Sequence, residues 1–409
     1  MQTRLTARQQ RFIAMAATHA DDFKTRVAQH DEESSFPHEN VDAMNASGYT
    51  ALIVPEKLGG GGANPLDIAL AQERLAYGDL PMAIAVNMHL IAVALITDLW
   101  WLNQKGEGLK LDAIEPMLKA IVNDKIIFAG PVSDPKMNSS VGFAGINDTT
   151  RQAQKVDGGY VINGRSGFGT MSACADYLLT TARYNDPEKG PQCLLCFLPS
   201  HTKGVHIQNN WDTMSIRSSC SNDVVWDNVF ISEDAAVSRP IQTWDALANV
   251  TSSWWVASGP ACYIGLAQAA RDYAMNWVSG RTQEPFDQPM THYPGNQLLA
   301  AEMEIGIRSA RALLHQTIAA HDDIATRSQD DLVNLISCFQ FVMESCVQVV
   351  DKAMRMVGGA ALFKKNPLEQ MYRDVRAAII HQPFAGTEGK ALLGRRAFGL
   401  PVYGTPRFV

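Results

Sequence analysis

The feature that most constrains the fold is a double change of hydrophobic period along the chain. Across residues 6–123 apolar side chains recur at helical spacing, in runs at about 6–33, 40–48, 66–77, 82–101 and 111–123. From Lys125 the pattern shortens: IIFAG, GYVING, YLLTTA, QCLLCFLP, GVHI and DVVWDNVFIS are short, β-rich runs parted by Asn, Asp, Gly and Pro. After Pro240 the helical period returns in four long segments, about 244–279, 294–321, 330–357 and 367–398. The expected architecture is therefore α+β: an N-terminal helical domain (1–124), a middle antiparallel β domain (125–240) and a C-terminal four-helix bundle (241–409). Strands and helices do not alternate, which disfavours a Rossmann domain. The run Gly59–Gly62 lacks a following Lys-Ser/Thr and reads as a tight exposed turn, not a phosphate loop.

At 409 residues the chain can bury full cores without disulfides or a structural metal. Its seven cysteines are odd in number and scattered, so reduced thiols are expected. Cys193 and Cys196 form a CxxC, but on a strand, where positions three apart point to opposite faces; core packing is the expectation and zinc is not. A formal charge of -7 leaves no electrostatic footprint for nucleic acid. The N-terminus lacks the apolar core of a leader, and no stretch reaches roughly 18 uninterrupted apolar residues. A cytoplasmic protein without membrane or nucleic-acid partners is expected.

Candidate chemistry concentrates near the end. In NPLEQMYRDVRAAIIHQPFAGTEGKALLGRRAFG, residues Leu368, Met371, Tyr372, Val375 and Ile379 share one helical face. Pro383 disfavours helix at Gln382, so this helix ends near His381, and Gly386 breaks the chain before helical spacing resumes. An imidazole on a turn between two packed helices is rigidly placed, which makes His381 the leading catalytic candidate.

Five motifs, in order, resemble the acyl-CoA dehydrogenase superfamily: GYTALIVPEKLGGGGANPLD, GGYVINGRSGFGTMSACADYLL, NNWDTMSIRSSCSNDVVWDNVFIS, ASGPACYIGLAQAARDYA and RMVGGAALFKKNPLEQMYRDVRAAIIH. The resemblance spans nearly the whole chain and implies a flavin, FAD or FMN, held between the β domain and the helical bundle. It implies that Val132, Ser133 and Ser139 flank the flavin, and that Phe168 packs on its ring. Thr170 would hydrogen-bond near the ring's N5, and Arg281 with Gly358 and Gly359 would hold the distal part of FAD across a subunit interface. A homotetramer is implied on the same ground.

Where dehydrogenases of this superfamily place a glutamate base, counting from Arg373-Asp374 reaches Gln382, and anchoring on the Gly-Thr pair reaches Ala385. Neither takes a proton. The alternative location falls near Trp254-Trp255, and Glu388 is a displaced candidate. The chain is more similar to the two-component flavin monooxygenases, including the oxygenase component of p-hydroxyphenylacetate hydroxylase and dibenzothiophene monooxygenase. That likeness rests on Arg373, Asp374 and His381, on Asn210-Trp211, and on the run Ser218-Ser219-Cys220-Ser221. It implies a second histidine, His89, and reduced flavin delivered by a separate reductase, acting on an apolar or aromatic small molecule. A dehydrogenase using Glu388 and a catalytically silent homologue are the alternatives.

Overall fold

The computed structural model describes residues 5–106, 113–134, 149–285, 287–320, 329–381 and 386–400, without the side chains of 242–251, 329–330 and 388. Six helices come first: α1 (Ala7–Phe23), α2 (Val27–Glu33), α3 (His38–Ser47), α4 (Pro65–Ala76), α5 (Leu80–Gln104) and α6 (Ile114–Asn123). Their starts follow side-chain capping. Thr6 and Gln9 form a reciprocal capping box at α1, Asn64 and Asp67 do so at α4, and the Asp79 carboxylate accepts from Met82 N at α5. The single run expected over 6–33 breaks after Phe23 into α1 and α2. The glycine run folds back on its own neighbours: a Cβ on Gly60 would lie 2.1 Å from Val54 O, so only glycine allows the approach.

The β region is one eight-stranded sheet of β1 (Phe128–Ala129), β2 (Gln152–Val156), β3 (Gly159–Ser166), β4 (Tyr177–Asp186), β5 (Gly190–Pro199), β6 (Val205–Ile207), β7 (Val224–Ser232) and β8 (Ala236–Pro240). Its order is β6-β7-β3-β2-β4-β5-β8, with β1 on β4. The sheet is mixed, where a wholly antiparallel one was expected, because β1 and β2 both pair with β4 in parallel. The opposite edge of β4 is taken by β5 over its whole length. β1 and β2 therefore follow one another along the same edge and in the same direction, and the chain between them leaves the ladder and returns. That excursion carries Val132 and Ser133.

Helices α7 (Ile241–Ser279), α8 (Pro294–Ala319) and α9 (Gln329–Val357) pack on one another, and α7 also packs on α4 and α5, joining the two helical regions. The fourth expected segment is split into α10 (Pro367–Val375), a 3-10 turn (Arg376–Ile379) and α11 (Gly386–Ala397). Among the described residues two helical stretches, Leu80–Gln104 and Asp331–Leu362, are long and apolar enough to cross a membrane. The first is enclosed almost entirely by other parts of the protein, as a core helix is.

Candidate functional site

The excursion after β1 is pinned by a buried cation. Arg151, fully enclosed, donates through Nη2 to Val132 O (2.6 Å), through Nη1 to Ser133 O (2.9 Å) and Ser166 Oγ (2.8 Å), and through Nε to Thr181 O (2.6 Å). Asp134 lies 3.8 Å away and is itself held by Thr149 Oγ1 and Thr150. Desolvation lowers the guanidinium to about 10, partly offset by Asp134, so it stays charged at neutral pH. Gly167 N then donates to Ser133 O (2.9 Å), which sets Val132-Ser133 against the turn carrying Phe168 and Thr170. Four of the sequence candidates thus come together. Ser139 lies outside the described residues.

Phe168 is a large apolar side chain left 63% exposed, on a backbone with φ of 53°, its ring edge-on to Trp211 at 5.7 Å. Gly169 has no room for a side chain, since a Cβ would sit 2.6 Å from Asn222 O. Ser172 Oγ and Ser218 Oγ are buried without a hydrogen-bond partner. The uncovered aromatic face of Phe168 suits a flat heteroaromatic group that covers it, which fits a flavin.

Behind this turn, Thr170 Oγ1 lies 2.8 Å from Ser221 Oγ, and Ser221 Oγ lies 2.9 Å from Ser219 Oγ. The 214–216 segment, a few residues before these serines, is held from the last helices. Asp374 Oδ1 accepts from Ile216 N (2.6 Å), and Arg373 donates to Met214 O (2.9 Å) and bidentately to Asp31 of α2 (3.1 and 2.5 Å). Arg373 and Asp374, read in the sequence as markers of a branch, physically clamp all three regions at one point. Burial raises the Asp374 carboxyl to about 7, the Ile216 N–H opposing the shift.

His381 follows the 3-10 turn, partly buried, with Nδ1 3.1 Å from the hydroxyl of Tyr263 on α7. Desolvation lowers it to about 4, so it is neutral at pH 7. His89 is fully buried: Nε2 donates to Thr50 O (2.9 Å) and Nδ1 accepts from Phe128 N (3.0 Å), tying α5 to the start of the sheet. It too is lowered to about 4 by desolvation. Gln382, Ala385 and the Glu388 side chain lie outside the description. Sequence spacing missed one carboxylate: Asp98 of α5 is buried and accepts from Trp254 Nε1 (2.9 Å), bringing an acid to the alternative base location.

Arg281 is exposed, its guanidinium 3.6 Å from the centroid of the Trp277 ring. Gly358 and Gly359 are exposed with nothing within 4 Å of a built Cβ, and Gly358 has φ of 71°. Cys193 and Cys196 are buried and in no disulfide, and among the described residues no group of His, Cys, Asp and Glu could hold a metal.

Two family descriptions match the chain: "Acyl-CoA dehydrogenase, N-terminal domain" over residues 6–100 and "Acyl-CoA dehydrogenase, C-terminal domain" over 258–385. YdbM of Bacillus subtilis, which is named as an acyl-CoA dehydrogenase, is 32% identical over 370 residues, 89% of this chain and 91% of that one. The amino sugar nitrososynthase DnmZ of Streptomyces peucetius is 29% identical over 385 residues, 90% of this chain and 88% of that one. Among solved structures, FMN-bound TdsC from Paenibacillus superposes with a TM-score of 0.83 at 19% identity, covering 96% of this chain and 99% of that one. Fold, motif order and identity over nearly the full length agree, and the chain belongs to the acyl-CoA dehydrogenase family of flavin-dependent oxidoreductases.

Proposed function

We propose that this protein is a reduced-flavin-dependent monooxygenase that takes its flavin from a separate reductase and acts on an apolar or aromatic small molecule. The likeness to an amino sugar nitrososynthase adds amines to that class. The observation that carries the reading is the neutral His381 imidazole, paired with the Tyr263 phenol, on the turn where sequence counting finds no glutamate.

A bound flavin supplies the electrons for activating dioxygen; the chain's residues supply the surroundings. Val132, Ser133 and Phe168 would hold the ring, and the Thr170 hydroxyl would supply a hydrogen bond to it. Tyr263 is fully buried and burial keeps it protonated; among the described residues its hydroxyl has no partner except His381 Nδ1, so its O–H donates there and the ring's own proton sits on Nε2. His381 then acts as a neutral hydrogen-bond donor towards developing negative charge on oxygen. His89, with both nitrogens engaged by main chain, acts as a positioning residue. A homotetramer goes with the same reading: Arg281 and Gly358-Gly359 are exposed, and Leu298, Ile305, Phe341, Leu362 and Phe363 are exposed apolar side chains available to an interface. A cytoplasmic location accompanies this reading.

Stopped-flow mixing of the protein–reduced FMN complex with oxygen tests it: a long-lived oxygenated-flavin absorbance supports it, and direct return to oxidised flavin sinks it. The second reading, an acyl-CoA dehydrogenase, is favoured by the buried Asp98 against Trp254 and by the 32% relative. It requires bleaching of bound FAD by an acyl-CoA, abolished by Asp98→Asn or Glu388→Gln.

A further inference from the structure

The three buried hydroxyls of Thr170, Ser221 and Ser219 form a chain with one blind end. Each hydroxyl has a single proton to donate and can accept from a neighbour, so fixing the direction of one bond fixes the next. Two directions are possible. In one, Thr170 donates to Ser221 and Ser221 to Ser219, which leaves Thr170 no proton for anything else. In the other, Ser219 donates to Ser221 and Ser221 to Thr170, and the Thr170 proton is left over at the cleft end.

Ser219 decides between them. It is completely buried, and among the described residues its hydroxyl has no hydrogen-bond partner except Ser221 Oγ, at 2.9 Å. A buried hydroxyl that did not use its proton would forgo a bond that nothing else replaces. Its proton therefore goes to Ser221. Ser221 Oγ in turn has only Ser219 and Thr170 Oγ1 within reach, so its proton goes to Thr170. The backbone keeps the pair in place: Cys220 between them is left-handed at φ of 41°, Ser219 N donates to Ile216 O, and the next residue, Asn222, accepts from Asn210 N and Trp211 N through its side chain.

We propose that Ser219 and Ser221 are positioning residues that polarise the chain in one direction and so make Thr170 a hydrogen-bond donor towards the flavin. This rests on the flavin reading above. No group transfer is involved; the serines set which way protons point. Neither serine reaches the cleft, Ser221 being 3% exposed and Ser219 not at all.

The test uses full-length protein, FMN as titrant, fluorescence quenching for affinity, and the vibrational signature of the flavin N5 region for the hydrogen bond. Thr170→Val removes the donor at nearly constant shape and should weaken FMN binding about fivefold, with a shifted N5 signature. Ser221→Ala should weaken binding about threefold and shift the signature the same way, and the two changes together should do no more than Thr170→Val alone. Ser219→Ala, the same truncation one step further from Thr170, should give the same shift in lesser degree and guards against misfolding of the Ser221 variant. An unchanged signature in both serine variants, or a serine effect that persists undiminished in the Thr170→Val background, overturns the proposal. If Thr170→Val shifts the signature and the serine variants do not, this inference alone falls; if wild type binds no FMN or FAD, the underlying reading falls with it.

Discussion

His89 and His381 are alike in charge and opposite in employment. Desolvation lowers both to about 4, so each is neutral at physiological pH. His89 has spent both nitrogens on the main chain, one on Thr50 and one on Phe128, and no water reaches it. His381 has one nitrogen with Tyr263, while among the described residues nothing bonds the other, and the residue is only partly buried. A depressed imidazole is thus no sign of catalysis in itself. What distinguishes the two imidazoles is that His381 keeps a nitrogen that no described residue engages, which is the feature the proposed role draws on.

The largest effect should come from His381→Ala. Loss of a positioned donor predicts a fall in product formation of about a hundredfold or more, with a melting temperature close to wild type. Single-turnover product yield beside a thermal melt checks this, and normal yield would make the two histidines equivalent. His89→Ala should reverse the pattern. Two buried main-chain groups, Thr50 O and Phe128 N, would lose their partner and a cavity would open, costing about 3 kcal/mol of folding stability. Denaturant unfolding reads that directly, and turnover per folded molecule should fall far less than for His381→Ala.

The same variant has a pH signature. In the folded protein His89 titrates near 4, against a usual value of 6.5. Its contribution is complete above 6.5, where both states are neutral, and is lost as pH falls towards 4 because only the unfolded chain takes up the proton. Desolvation acts on Asp79 and Asp374 in the opposite sense, raising them to about 6 and about 7, so their share is lost as pH rises through those values. The wild-type curve mixes both signs; the difference curve does not. The cost of His89→Ala should shrink by about 2 kcal/mol between pH 7.5 and pH 4.5. A cost independent of pH would mean that His89 is not held neutral.

Why the sequence separated these histidines poorly follows from what each contacts. Helical periods exposed α4, α5 and α7–α9 to within three residues at each end, because one apolar face per turn is a local signal. The partners of His89 are a carbonyl and an amide, which every residue carries, so nothing in NMHLIAV announces them. Strand direction is equally silent. β2, QAQKV, is polar and mostly exposed, yet it sits between β3 and β4, and its parallel pairing depends on an excursion of the chain that no local pattern encodes. β8 was missed for a related reason: it is a short edge strand ending in Pro240. The Phe168–Thr170 segment was legible through its motif, whereas its support was not. Arg151 reads as one more charge beside a polar strand, and the residues that Arg373 and Asp98 hold lie 342 and 156 positions away. Those pairings exist only once the chain has folded.

The finest discrimination between the two histidines lies in Tyr263→Phe. This change removes one hydroxyl and little volume from a fully buried site, so stability should move by no more than about 1 kcal/mol. Its consequence for His381 is specific. Without the phenol donating to Nδ1, the imidazole can carry its proton on either nitrogen, and only the Nε2 form leaves a donor on the nitrogen that no described residue engages. Product formation should then drop several-fold, well short of the loss in His381→Ala, and Tyr263→Phe should add little when His381 is already alanine. His89 offers no such handle, since its tautomer is fixed by Thr50 and Phe128 rather than by a replaceable side chain. A product yield unaffected by Tyr263→Phe would show that the hydroxyl merely fills space, and that the orientation of His381 is set by the turn that carries it.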